Sequence, residues 1–204
     1  MVAQIADPLT LPCGVRLKNR IAKAAMTEGL ADARNIATSR HARIYRRWAE
    51  GGAGLLITGN IQIDRRHLER PGNVAIDGAQ TAEAMAALER FAASGEASGA
   101  HVFAQISHAG RQTPIYLNSE PLAPSAVSVA LPGRQFGAPR AMSEREIEDA
   151  IGRFAHAASV AKSAGFSGVQ VHGAHGYLLS SFLNPRANTR ADQWGGSLDG
   201  RARF

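Results

Sequence analysis

One complete helix–strand unit can be recognised in residues 143–171, SEREIEDAIGRFAHAASVAKSAGFSGVQV. Ser143 and Glu146 have the spacing of a capping box, in which the serine oxygen accepts from the Glu146 amide and the glutamate accepts from the serine amide. Apolar residues follow at helical spacing, and Gly165 can take the left-handed conformation that ends a helix. Gly168–Val171 supplies the next strand, so the segment predicts a helix followed by a strand.

The same unit occurs twice upstream. Residues 39–50 predict a helix and residues 55–58 the strand after it, and this order returns in residues 81–93 and 101–106. An opening strand is predicted near residues 21–25. Such alternation of strands and helices implies an α/β fold with a parallel sheet, arranged either as a doubly wound sheet or as a (β/α) barrel.

A long insertion separates the third predicted strand from the third helix. It covers about residues 107–142 and holds five of the nine prolines. Loops of this length inside compact domains are usually functional or disordered, and one that leaves the carboxyl end of a strand would overhang a barrel's active site. The insertion is therefore predicted to cap the substrate side, with an ordinary surface loop as the alternative.

Composition narrows the class of protein. With 45% hydrophobic and 20% charged residues among 204, the chain can bury a core. No apolar stretch approaches the roughly 18 residues of a membrane span and no secretion signal is evident, so we expect a cytoplasmic protein without a membrane partner. Cys13, the single cysteine, excludes an internal disulfide. The net charge of +6 is scattered and no nucleic-acid-binding motif accompanies it, so no nucleic-acid partner is expected.

Polar side chains cluster directly after the fourth predicted strand, in HGAHGYLL at residues 172–179. His172 and His175 lie three positions apart on a turn flanked by glycine, so both rings can point at one acceptor that Tyr177 can also reach. The pattern favours a polar clamp for a substrate. A histidine metal site and ordinary structural histidines are the alternatives, and no motif supplies a third metal ligand, so no metal is predicted.

Further motifs flank this cluster. It is followed by Phe182–Pro185, Asn188–Arg190, Asp192, Gly195–Ser197 and Arg201–Phe204, and it is preceded by LKNRI at 17–21, AAMT at 24–27 and AQISHAGRQ at 104–112. Together these motifs resemble the Old Yellow Enzyme family of FMN-dependent NADH:flavin oxidoreductases, which includes a branch similar to 2,4-dienoyl-CoA reductase. The resemblance extends from about residue 9 to residue 204.

The resemblance implies a (β/α)8 TIM barrel of the FMN-linked oxidoreductase type, of which this chain would hold about the first four βα units. Residues 1–204 would be the N-terminal portion of a single FMN-binding domain, with the insertion as its cap. The implied reaction passes hydride from NADH or NADPH, through FMN, to the β-carbon of an alkene conjugated to a carbonyl. The partner would be a small activated alkene, and the full-length protein could form a homo-oligomer.

By resemblance, five residues contact FMN: Ala25, Met26, Thr27, Asn60 and Gln105. The Thr27 hydroxyl would donate near the carbonyl edge of the ring, where a donor stabilises the charge of the reduced form. Gln105 would bond the pyrimidine edge, because an amide offers both a donor and an acceptor. Many relatives carry a small residue where this chain has Asn60, so the contact made by Asn60 departs from the family pattern.

The resemblance also assigns the catalytic residues. His172 and His175 would hold the carbonyl oxygen of the substrate, and Tyr177 would deliver a proton to its α-carbon.

The family's later strands supply an arginine against the flavin and the groups that bind its phosphate. We therefore expect residues 1–204 alone to neither retain FMN nor act as a reductase. The alternative function is a truncated, non-catalytic remnant of such an enzyme.

Overall fold

The computed structural model describes residues 2–204, in which helices alternate with strands. The strands in this range are β1 (Leu9–Thr10), β2 (Arg16–Leu17), β3 (Ala22–Lys23), β4 (Leu55–Ile57), β5 (Ile61–Gln62), β6 (His101–Ser107), β7 (Leu122–Ala123), β8 (Arg140–Ala141) and β9 (Gly168–Val171). The α-helices are α1 (Ser39–Glu50), α2 (Ala82–Ala92), α3 (Glu144–Ser163), α4 (Leu178–Leu183) and α5 (Leu198–Arg201).

The central sheet is parallel and follows chain order. β3 pairs with β4, β4 with β6, and β6 with β9, while the short β5 pairs with the carboxyl end of β6. Opposite β9, residues Phe103 and Gln105 of β6 lie beside Gly168 and Gln170. Because side chains alternate between the two faces of a strand, these four residues share one face of the sheet.

The helices cover the other face. One continuous core joins Leu56 and Ala104 of the sheet to Tyr45 of α1, Phe91 of α2 and Phe154 of α3. A doubly wound sheet carries helices on both faces, whereas a barrel carries them on the outer face only. The single helical layer and the sequential strand order therefore select the barrel arrangement of the two alternatives.

The predicted helices are confirmed, because their end signals are local. The Ser143 hydroxyl accepts from the Glu146 amide at 3.3 Å and the Glu146 carboxylate accepts from the Ser143 amide at 2.8 Å, as a capping box requires. Thr81 caps α2 through the Ala84 amide. Gly165 has φ of +89°, which is the left-handed conformation expected at the end of α3.

Three strands have ends that differ from the prediction, and the smallest difference is that β4 ends at Ile57, one residue before the predicted end. The opening strand is limited to Ala22–Lys23, since β3 is an edge strand that pairs on one side only among the described residues. β6 continues to Ser107, because Gln62 of β5 pairs with that residue. The insertion therefore begins one residue later, at about residue 108.

The insertion is folded against the barrel. Its short strands β7 and β8 pair with each other, and Leu122 and Met142 join Ile147, Leu178 and Phe182 in a second core. None of the helices in residues 2–204 combines the length and the apolar character that crossing a membrane requires.

Candidate active site at the carboxyl ends of the strands

The fold brings His172, His175 and Tyr177 together directly after β9. The His172 ring centre lies 5.3 Å from that of His175 and 4.9 Å from that of Tyr177, and the His175 and Tyr177 centres are 6.4 Å apart. His172 continues the strand ladder, because its amide donates to the Ile106 carbonyl at 3.0 Å. The three side chains predicted to act on one substrate therefore share one small volume.

Hydrogen bonds from a side chain of the insertion and from one of α4 stabilise the turn that carries these residues. His175 has φ of +61°, a conformation that costs energy for a residue with a Cβ. The Gln112 side-chain amide donates to the His175 carbonyl at 2.6 Å, and the Ser181 hydroxyl donates to the Gly176 carbonyl at 2.8 Å. Gln112 was not predicted from the sequence as a site residue, and it holds His175 in this conformation.

The hydrogen bonds of His172 define which of its nitrogens carries the proton. Nδ1 accepts from the Ala174 amide at 3.2 Å, so Nε2 carries the proton of the neutral ring and can donate to a ligand. Burial, and then the neighbouring His175, lower the pKa of His172. Burial, and then the charge of Glu69, raise the pKa of Tyr177, so its phenol stays protonated at neutral pH.

Gln105 and Gln170 form an amide pair beside this cluster. Gln105 is 7% exposed, and its Nε2 donates to the Gln170 Oε1 at 2.7 Å. The pair leaves the Gln105 oxygen and the Gln170 nitrogen, one acceptor and one donor, for another molecule. Gln170 was not predicted from the sequence as a site residue, although a polar side chain between the two valines of β9 was a signal that could have indicated it.

The other predicted cofactor residues follow β3 and β4. Met26 is 52% exposed, beside the half-buried Ala25. The Thr27 hydroxyl donates to the Asn60 Oδ1 at 3.0 Å and so joins the loop after β3 to the loop after β4. Both residues were predicted to contact FMN. The carboxyl ends of β3, β4, β6 and β9 thus carry all eight predicted site residues.

A buried charged network supports these loops from the helical side. Glu28 accepts from the Gly59 amide at 2.9 Å and from the Tyr45 hydroxyl, and it lies 3.9 Å from the Lys23 ammonium. Burial lowers the pKa of Lys23 to about 8, although Glu28 opposes that shift. Glu28 was not predicted from the sequence, and it fixes Gly59 next to the loop that carries Thr27.

A second histidine pair lies under the insertion. His67 and His108 are both almost fully buried, with ring centres 4.6 Å apart in a stacked arrangement. The Leu122 amide donates to the His67 Nε2 at 3.2 Å, and the Gly110 amide donates to the His108 Nδ1 at 3.0 Å. The proton of each neutral ring is therefore on the other nitrogen, and His67 turns that nitrogen toward Asp64 at 3.4 Å.

Asp64, His67 and His108 are close enough together to suggest a metal site. Metal ligation needs a nitrogen without a proton, and the backbone amides already occupy the two nitrogens that lack one. Burial lowers the pKa of His108 to about 3, so its ring remains neutral. The group therefore functions as an anchor that ties the insertion to the loop after β5.

The chain is similar to known proteins in both sequence and fold. The sequence pattern of the NADH:flavin oxidoreductase / NADH oxidase family matches residues 4–204. The chain is 38% identical over 213 residues to the NADH-dependent flavin oxidoreductase iliE of Hypocrea jecorina. The aligned region covers 97% of this chain and 53% of that protein.

Two solved structures have a similar fold. The Old Yellow Enzyme homologue from Zymomonas mobilis has a TM-score of 0.87 at 30% identity, covering 98% of this chain and 57% of that one. Morphinone reductase in complex with tetrahydroNAD has a TM-score of 0.87 at 27% identity, covering 99% and 58%.

The chain spans a little more than half the length of each of these relatives. Its parallel sheet with one helical layer corresponds to part of their TIM barrel, which confirms the predicted fold class and the presence of about the first four βα units. The chain belongs to the NADH:flavin oxidoreductase / NADH oxidase family and is of the Old Yellow Enzyme type.

Proposed function

We propose that this chain carries the substrate clamp and part of the flavin site of an FMN-dependent ene-reductase. The enzyme would transfer hydride from NADH or NADPH, through FMN, to the activated C=C bond of an α,β-unsaturated carbonyl compound. The observation that carries the proposal is the convergence of His172, His175 and Tyr177 after β9, beside the amide pair of Gln105 and Gln170. NADH is the reductant named for the Hypocrea relative, which supports a nicotinamide donor.

The residues present fit a flavin ring. The ring displays hydrogen-bond donors and acceptors along one edge, and the site offers the free ends of Gln105 and Gln170 together with the amide of Asn60. The exposed Met26, in the loop after β3 that also carries Thr27, adds an apolar surface. Ala25, Met26, Thr27, Asn60 and Gln105 would therefore hold the ring, and bound FMN would supply the hydride.

The catalytic residues act on the substrate. His172 would donate from Nε2, and His175 from its exposed ring, to the carbonyl oxygen on which negative charge develops. Such donors contribute roughly 2.7 to 4 kcal/mol each in a site that excludes water. The raised pKa of Tyr177 keeps its proton in place until a basic α-carbon forms, and the phenol would then donate to that carbon.

The domain assignment is part of the proposal. Residues 1–204 would form the N-terminal portion of a single FMN-binding barrel domain, and the insertion, which begins at about residue 108 in the structure, would cap its substrate side. Support comes from the bond between Gln112 and His175, which ties the start of the insertion to the substrate clamp. A non-catalytic remnant remains the alternative, and the full polypeptide would then bind no flavin.

The test is Tyr177→Phe in the full polypeptide, followed by anaerobic stopped-flow absorbance. NADH should reduce the bound flavin at the normal rate, while reoxidation by 2-cyclohexen-1-one should slow by about 100-fold or more because the proton donor is lost. Tyr116→Phe, which removes an exposed phenol from the insertion, is the matched control and should change neither step. Equal slowing of both steps in Tyr177→Phe would contradict the assigned role.

A further inference from the structure

We infer that the side-chain amide of Asn60, and not the hydroxyl of Thr27, is the hydrogen-bond donor that this chain presents to the flavin ring, and that Asn73 sets its orientation. The inference rests on the proposed function, because it assumes that the ring lies against the loops after β3 and β4. It changes the role expected for Thr27 and assigns one to Asn73, which no sequence motif indicated.

A backbone amide can only donate a hydrogen bond, and the Arg70 amide contacts the Asn73 side chain. The Arg70 N–H points at one side-chain atom of Asn73 at 2.8 Å, so that atom is the oxygen, Oδ1. The other end of the Asn73 side chain is then the NH2 group. It lies 3.0 Å from a side-chain atom of Asn60, and this second atom must be an acceptor, which is the Asn60 Oδ1.

Thr27 contacts the same acceptor. Its hydroxyl oxygen lies 3.0 Å from the Asn60 Oδ1. A carboxamide oxygen has no proton to donate, so Thr27 must use its single proton in this bond. The Thr27 oxygen keeps lone pairs and can still accept, but it has no second proton to give to the carbonyl edge of a flavin.

The NH2 group of Asn60 is left as the free donor. No group in residues 2–204 accepts a hydrogen bond from it. Four residues in this range have a fully enclosed side-chain nitrogen or oxygen without a hydrogen-bond partner: Gln62, His67, Ser107 and Arg111. Asn60 is not one of them. Its unpartnered nitrogen is therefore not fully enclosed, and another molecule can reach it.

The position of Asn60 is fixed as well as its orientation. Asn60 is 5% exposed, its carbonyl accepts from the Gln62 side chain at 3.2 Å, and the preceding Gly59 amide is held by Glu28 at 2.9 Å. A rigid donor aimed at developing negative charge stabilises that charge more than a mobile one does. The Asn60 amide would therefore favour the reduced form of the cofactor.

Neutral substitutions test which residue donates. The full polypeptide is compared with Asn60→Ala and Thr27→Val, and the midpoint potential of bound FMN and the dissociation constants of its oxidised and reduced forms are measured. We expect Asn60→Ala, made in the Thr27→Val background so that a released Thr27 hydroxyl cannot replace the lost donor, to weaken binding of the reduced form relative to the oxidised form by about tenfold or more, with a more negative potential. Thr27→Val should change this ratio by less than about threefold, because Asn73 still holds Asn60.

A second variant keeps the test decisive if Asn60→Ala folds poorly. Asn73→Asp has the same shape but only acceptors, so Asn60 must turn its NH2 group toward residue 73 and present its oxygen to the site. This flip would also release the Thr27 proton, so the variant is made in the Thr27→Val background, where the potential should fall as it does in Asn60→Ala. Asn35→Asp adds the same charge beside Asn73, to whose carbonyl the Asn35 amide donates at 3.0 Å, and should have a much smaller effect.

Each outcome decides between the roles. The inference would be overturned if Thr27→Val weakened binding of reduced FMN relative to oxidised FMN while Asn60→Ala and Asn73→Asp did not weaken it further. The ene-reductase proposal would remain intact. Equal shifts in Asn73→Asp and Asn35→Asp would show that charge alone is responsible and would also overturn it. Absence of bound FMN from the unsubstituted polypeptide would overturn the proposed function, and this inference with it.

Discussion

The molecule contains two close histidine pairs that differ in how their protons are used. His172 and His175 have ring centres 5.3 Å apart, and those of His67 and His108 are 4.6 Å apart. Both rings of the second pair are buried, and backbone amides donate to one nitrogen of each. In the first pair His175 is exposed and the Nε2 of His172 is free to donate.

The difference shows that proximity of two histidines is a poor guide to their role. The buried pair lies with Asp64 in an arrangement that suits a metal by distance, yet its hydrogen bonds leave protons on the nitrogens that a metal would need. His172 and His175, the open pair, contact the insertion through the His175 backbone carbonyl, and their rings keep donors available. We therefore expect substitutions in the open pair to affect chemistry and substitutions in the buried pair to affect stability.

The largest effect should come from removing the open pair. In the full polypeptide, His172→Ala combined with His175→Ala should lower kcat/KM for a cyclic enone by at least ~10³-fold, because two donors to the developing charge are lost. Flavin content should remain normal, and the free energy of unfolding should change by no more than about 1 kcal/mol. Steady-state kinetics and flavin absorbance check these values, and near-normal turnover would remove both residues from the clamp.

The buried pair should give the opposite result. His67→Leu leaves the Leu122 amide without an acceptor and removes the donor that faces Asp64, so the free energy of unfolding should fall by roughly 2–4 kcal/mol. Urea denaturation measures this change. His156→Leu on the exposed surface of α3 is the matched control and should cost less than about 1 kcal/mol. A comparable loss in both variants would contradict the anchoring role of His67.

The smallest expected effect is on how the free energy of unfolding depends on pH. Burial lowers the pKa of His108 from 6.5 to about 3, so between these values the unfolded chain binds a proton that the folded protein does not. Stability must therefore fall as pH falls through this window. His108→Asn keeps an acceptor for the Gly110 amide but cannot titrate, and it should reduce the loss between about pH 6.5 and 4.5 by roughly 2 kcal/mol.

Unfolding free energies of both proteins across this range provide the measurement. The range stays above the usual pKa of aspartate, so protonation of Asp64 contributes little to the difference. Identical pH dependence of the two proteins would show that His108 takes up its proton without unfolding cost.

Local signals in the sequence were sufficient for much of the fold. Ser143 and Glu146 define the start of α3 by hydrogen bonds between residues three apart, and Gly165 defines its end by a backbone conformation that glycine adopts readily. The same is true of the turn from His172 to Tyr177, whose residues are neighbours in the chain. Strand ends were less predictable, since Ser107 belongs to β6 only because Gln62 pairs with it.

The sequence by itself therefore determined the βα order, the helix limits and the grouping of His172, His175 and Tyr177, because each depends on residues close together in the chain. Only the tertiary structure decided which donors are free. Gln112 reaches His175 across 63 positions, Gln105 bonds Gln170 across 65, and Thr27 gives its proton to Asn60 across 33. The direction of a hydrogen bond depends on both partners, and these partners meet only when distant strands pair.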